Sequence, residues 1–263
     1  MISISNQPVL VKTSLDGNIK FNNVSFVYPH TGIHALKNFN LEIKKGEKVA
    51  IVGRTGSGKS TIAQLLLRMY DVTEGSIEID DSNIRQIDLA LLREQISYVP
   101  QDVFLFSDTI ENNIGFGMNY FTRPDVEKAA AKASVEKEIA GFSQQYDTMI
   151  GERGVTLSGG QKQRISIARA LIKDPGIVVF DDCLSAVDAR TEREILTSLN
   201  EYLLEKTAII ITHRIFSIFS FDKVIVLEDG RIIEQGTHEQ LLRQEGYYAA
   251  LYKKQQQQDK AAN

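Results

Sequence analysis

Apolar residues recur along this chain with two different periods, and the change of period divides it. Ile19 and Phe21, then Val24, Phe26 and Tyr28, then Phe39, Leu41 and Ile43 alternate with polar neighbours, which predicts an antiparallel layer with one buried face. Residues 49–52, 177–180 and 208–212 are instead short continuous apolar runs, as expected of strands covered on both sides. Helical spacing follows the first run over residues 61–67 and returns after Ser158 and again over about 188–203. Strands alternating with helices predict an α/β fold, a doubly wound core that carries an extra antiparallel layer.

Punctuation refines this plan. Residues 73–76 read as a turn before a short strand over 77–80, and a helix is expected near 88–95 before a strand that ends at Tyr98-Val99-Pro100-Gln101. Between about 102 and 162 the pattern becomes one of short helices, including 109–114 and an Ala-rich stretch over about 124–141 that Thr122, Pro124 and Asp125 start. That predicts a helical subdomain inserted between core segments of about 18–101 and 163–252. Glu228-Asp229-Gly230 signals a hairpin, and Thr237 with Gln240 a capping box. Residues 1–17 read as a linker or an artificial chain boundary, and 253–263, with four consecutive glutamines, as a disordered polar tail.

Composition narrows the function classes. The 263 residues carry a net charge of −4, which gives no support for nucleic acid as a partner. One cysteine, Cys183, rules out an internal disulfide framework. There is no run of 18 apolar residues and no signal-peptide pattern at the start, so the chain is expected to be soluble by itself.

The chemistry centres on Gly53-Arg54-Thr55-Gly56-Ser57-Gly58-Lys59-Ser60, placed where a buried strand hands over to a helix. Glycines at Gly53, Gly56 and Gly58 let successive N–H groups close around an anion, and the helix adds its positive end. Lys59 can reach the terminal phosphates, Ser60 can enter the coordination of Mg²⁺, and Thr61 continues the loop into the helix. The implied ligand is a nucleoside triphosphate with magnesium. Asp181, ending a buried strand, offers a carboxylate for a Mg²⁺-bound water. Leu157-Ser158-Gly159-Gly160-Gln161 places a serine and two glycines at a second helix start, a further anion-binding device.

With both loops and the strand-end aspartate in one chain, the sequence resembles the nucleotide-binding domain of ATP-binding cassette (ABC) transporters from about residue 19 to 252. The resemblance implies the ABC ATPase fold with ATP and Mg²⁺ as cofactors. It also implies head-to-tail pairing with a second such domain, so that each ATP lies between one P-loop and the partner's signature, here residues 157–161. It further implies roles for Gln101 as the Q-loop residue at Mg²⁺, His213 as the switch histidine, Asp188 as the D-loop aspartate and Tyr28 as the aromatic against adenine. Glu152 and Arg153 match the X-loop of exporters, which couples to transmembrane domains.

One position departs from that family. Asp182 follows Asp181 where a glutamate normally polarises the attacking water, and withdrawing a carboxylate by about 1 Å can cost roughly 10²-fold in rate. The pattern is similar to the degenerate-site half of a heterodimeric multidrug or lipid exporter. The expectation is therefore an ABC ATPase that drives export at the cytoplasmic face of the cell membrane, slow at its own P-loop, with membrane helices N-terminal in the full-length chain. The alternatives are a nucleotide-gated regulatory subunit and a soluble ABC ATPase of DNA repair or translation.

Overall fold

A computed structural model describes residues 12–151, 155–184, 187–215 and 219–261. The first five strands are β1 (Ile19–Val27), β2 (His34–Ile43), β3 (Lys48–Gly53), β4 (Glu74–Ile79) and β5 (Ser82–Asn83). All but β3 form a four-stranded antiparallel sheet in the order β2-β1-β4-β5. Alternation explains it. Ile19 and Phe21 pair with Ile43 and Leu41, and a register slip at Asn22-Asn23 returns Val24 and Phe26 to the same buried face. Asn23 adopts φ 47° there.

The second sheet has the order β10-β9-β3-β8-β7-β6, with β6 (Ile96–Val99), β7 (Ile177–Asp181), β8 (Thr207–Thr212), β9 (Lys223–Glu228) and β10 (Arg231–Gly236). Strands β9, β3, β8, β7 and β6 run parallel, and β10 closes the edge antiparallel through Asp229 and Gly230, both at positive φ. The unbroken apolar runs lie in these inner strands because both faces are covered. Ile177, Val179, Ile209 and Ile211 enter the core shared with the antiparallel sheet, whereas Val178, Phe180, Ala208 and Ile210 enter a core on the other face.

Helix α1 (Lys59–Leu66) packs in the first core; α2 (Leu89–Gln95) precedes β6. The second core gathers α3 (Ile110–Gly115), α4 (Arg123–Lys132), α5 (Glu136–Ala140), α6 (Gly159–Leu171) and α7 (Ala189–Tyr202). A third, smaller core lies under α8 (His238–Arg243) and α9 (Tyr247–Ala261).

Four local readings differ from the sequence expectation. Leu15, placed in a linker, is buried in the first core, and the N–H groups of Asp16, Gly17 and Asn18 donate to the Asp80 carboxylate. Strand β4 starts at Glu74, inside the expected turn. Its Gly75, at φ 80°, lies so close to the β1 slip that a Cβ would stand 2.3 Å from the Asn22 carbonyl oxygen. The Ala-rich stretch is two helices, broken where Ser134 turns to φ 55°. Finally, α9 continues through residues 253–261 where a disordered tail was expected. Gln255 anchors it by bonding the main chain of Ile215.

Candidate functional site

Four neighbouring parallel strands, in the order β3, β8, β7, β6, deliver the candidate residues from their carboxyl ends. Strand β3 runs into the P-loop, β8 into His213, β7 ends on Asp181 and leads to Asp182, and β6 leads through Pro100 to Gln101. In-register pairing of Val52 with Thr212, Ile211 with Asp181 and Phe180 with Val99 aligns these ends in one row. Ligands of open α/β sheets bind at such a row.

The loop itself is shaped by its glycines. A Cβ at Gly53 would stand 2.2 Å from the Leu227 carbonyl oxygen, and one at Gly58 2.3 Å from that of Ala35. Gly56 faces open space at φ 81°, which an L side chain rarely adopts. Lys59 is buried, and its ammonium donates to the carbonyls of Gly53 at 2.9 Å and Arg54 at 2.8 Å. Burial lowers its pKa against the opposing pull of Asp182 and Asp181. The Ser57 hydroxyl is buried without a hydrogen-bond partner, and such an orphaned donor beside three N–H-rich glycines fits a phosphate group. Arg54, Thr55 and Gly56 are exposed, Ser60 is half-buried and Thr61 buried. The Arg54 guanidinium lies 5.8 Å from the Tyr247 ring centroid.

Asp181 is 3% exposed, and its Oδ2 accepts a 3.1 Å hydrogen bond from the Tyr98 hydroxyl. Burial and the adjoining carboxylate push the Tyr98 hydroxyl far above its ordinary value, so it remains a donor. Asp182 takes φ 46°, and its own N–H donates to Ile211 O at 2.8 Å. Burial raises its carboxyl pKa, with the charge and backbone N–H of His213 pulling the other way. Asp182 and His213 therefore face one another across the ends of β7 and β8. Cys183 is buried and its thiol is pushed up by that burial, in keeping with a spectator.

Tyr28 does not stand free. Its hydroxyl bonds Thr61 Oγ1 at 3.0 Å and donates to Gln64 Oε1 at 2.7 Å, and its ring meets Phe26 and Tyr70 edge-on at 4.9 and 5.4 Å. The aromatic is fixed to the first turns of α1, beside the P-loop.

The signature residues lie apart from this row. Ser158 caps α6 in a reciprocal box with Gln161, at 3.2 and 2.9 Å. Leu157 is buried in the helical core, whereas Ser158 and Gly159 are exposed and Gly160 and Gln161 half-buried. Among the described residues no hydrogen bond joins residues 157–161 to the P-loop. Buried Arg164 ties the helix to α5 through Glu138 and the Ser134 carbonyl. Asp188 caps α7, accepting from Arg190 and Thr191 N–H, and those bonds hold its carboxyl below the usual range. Gln101 is exposed. Glu152 and Arg153 lie outside the described residues.

Sequence reasoning missed three supports: Tyr98 on Asp181, the ion pair of Glu192 with Arg214, and the Gln255 contact. Only the first had a signal, a polar-tipped aromatic in a strand aligned with Asp181.

A profile of the ABC transporter family matches residues 36–185. The chain belongs to the ABC transporter family. The ATP-dependent lipid A-core flippase of Salmonella typhimurium is 47% identical over 240 residues, and that of Escherichia coli K12 46%. These alignments cover 91% of this chain and 41% of each flippase, so the chain spans about two fifths of the curated relatives it matches. A bacterial Atm1-family ABC exporter, solved with ATP bound, superposes with a TM-score of 0.89 at 44% identity, over 95% of this chain and 44% of that one. The fold is that of an ABC ATPase, and the chain is an exporter-type nucleotide-binding domain with ATPase chemistry.

Proposed function

We propose that this domain closes with a second cassette domain around Mg-ATP and drives substrate export through membrane-spanning segments. Among the described residues no helix is long and apolar enough to cross a membrane, and the relatives are more than twice as long as the matched region. In keeping with the family resemblance, the reading places membrane segments N-terminal to this domain in the full-length protein and the domain at the cytoplasmic face. One observation carries the pairing: Ser158 and Gly159 present an exposed capped helix start that, among the described residues, makes no hydrogen bond to the P-loop of the same chain. A second copy or a paralogue supplies the missing half of each site.

In this reading Gly53 to Thr61 hold the phosphates, Tyr28 lies against adenine, and Ser60, Gln101 and Asp181 hold Mg²⁺, which would neutralise charge developing on the phosphates. His213 contacts the terminal phosphate, and Asp182 orients water. Asp188 lies at the seam. A groove of about 310 Å³ between the segment after Gln101 and the approach to the signature, lined by Val103, Phe104, Ile150 and Leu157, receives the transmembrane coupling segment, with Glu152 and Arg153 nearby in sequence.

Asp182 favours a second, finer reading. Its short carboxylate makes this P-loop the slow site of a heterodimer, while its signature completes the partner's fast site. The pairing is tested by light scattering with Mg-ATP. Wild type is expected to dimerise, Ser158→Arg to bind nucleotide as a monomer, and Lys59→Ala to lose nucleotide binding. Dimerisation of Ser158→Arg that matches wild type contradicts the shared site.

A further inference from the structure

The chain leaves β8 through His213 and Arg214 to Ile215, and two contacts fix it there. Arg214 pairs with Glu192 on α7, and its N–H donates to Thr212 Oγ1 at 3.0 Å. Ile215 is buried in the third core with Val224, Val226, Leu241 and Tyr248. Its main chain is held by one side chain: Gln255 Oε1 accepts from Ile215 N–H at 2.8 Å, and Gln255 Nε2 donates to Ile215 O at 2.9 Å. A carboxamide making both bonds satisfies the Ile215 main chain beyond the end of β8, as a strand partner would. The two residues are 40 apart in sequence, so the contact spans the domain from the switch histidine to its last helix.

We infer that Gln255 is a positioning residue for hydrolysis, fixing the main chain two residues beyond His213 and so the direction from which the imidazole meets the terminal phosphate. This rests on the proposed role of His213. Hydrogen-bonded partners of a group that must sit within tenths of an ångström commonly act in this way. Among the described residues no hydrogen bond joins Gln255 to the P-loop, Tyr28 or Asp181, so ATP affinity is expected to hold while turnover falls. Gln255 thus takes a structural role inside a glutamine run that looks like a polar tail. Gln257, exposed on the same helix, supplies the control.

The test measures single-turnover ATP hydrolysis with enzyme in excess, which reads slow sites, together with nucleotide affinity and melting temperature. It compares wild type, Gln255→Ala, Gln255→Leu, Gln257→Ala, His213→Ala and the double variant His213→Ala/Gln255→Ala. Both Gln255 variants are expected to slow hydrolysis about fivefold with nucleotide affinity unchanged, the lost bonds to a buried main chain lowering the melting temperature as well, and the double variant to be no slower than His213→Ala alone. Rates for both Gln255 variants within twofold of Gln257→Ala overturn the inference while His213→Ala remains slow. A fully additive double variant, or a loss of nucleotide affinity that matches the loss of rate, overturns it also. If His213→Ala hydrolyses normally, the assignment of His213 fails and the inference with it.

Discussion

The Tyr98 hydroxyl donates a 3.1 Å hydrogen bond to Asp181 Oδ2, so β6 holds the carboxylate at the end of the strand beside it. Asp181 is the carboxylate proposed to hold a Mg²⁺-bound water, and the bond from Tyr98 would fix its orientation for that role. Second-sphere donors of this kind set the orientation of a ligand.

Tyr98→Phe keeps the ring in the first core and removes that donor. A hydrogen bond to a charged group contributes about 1.5–3 kcal/mol. The variant is expected to need more Mg²⁺ for half-maximal hydrolysis, roughly tenfold, with nucleotide binding in the absence of metal unchanged. Magnesium titration of the ATPase rate checks this.

Gly53→Ala drives a methyl group to 2.2 Å from the Leu227 carbonyl oxygen of β9, which the parallel pairing holds in place. Something in the sheet must shift, and overpacking of this kind costs about 1–3 kcal/mol. A lower urea midpoint with an unchanged slope is the expected result; Gly56→Ala, facing open space, is expected to lose less.

Burial raises the Asp182 carboxyl above its ordinary value of 3.8 against the pull of His213 and Lys59. The folded chain thus holds that proton more tightly than the unfolded chain. The contribution to stability is full below the unfolded value and is lost as pH rises through the folded one. At neutral pH the ionised carboxylate weakens the fold. Asp182→Asn is therefore expected to melt higher than wild type near neutrality, with a margin that shrinks as pH falls toward 3.8. A margin that is flat across that range contradicts the burial argument.

Glu192 is buried and pairs with half-exposed Arg214. Removing one partner of a buried pair costs about 3–5 kcal/mol, and solvent access to Arg214 reduces this to about 1–2 kcal/mol here. Glu192→Ala should lower the urea midpoint accordingly, and Glu192→Gln by less.

Much of the fold was legible because the two hydrophobic periods report burial directly. The row of strand ends followed from β3, β7 and β8 being recognisable as doubly buried, and the helix starts at Thr122, Ser158 and Thr237 follow from local chemistry. What escaped depends on distant partners. Leu15 looks like a linker residue until the Asp80 carboxylate gathers three N–H groups beside it, and Gln255 looks like part of a polar run until Ile215 meets it. Ser134 takes a left-handed turn that no glycine announces. Tyr98 and Asp181 are 83 residues apart and meet only through strand register.

The central claim is that Mg-ATP hydrolysis here requires two cassettes, with Asp182 limiting this chain's own site. The direct measurement is steady-state hydrolysis across protein concentration for wild type and Asp182→Glu, with nucleotide binding verified for both. Wild type is predicted to bind ATP but turn over slowly, and Asp182→Glu to gain activity that rises steeply with concentration. Wild-type turnover that already rises with concentration and gains nothing from glutamate would contradict the slow-site assignment, and turnover independent of concentration in both would contradict the shared site.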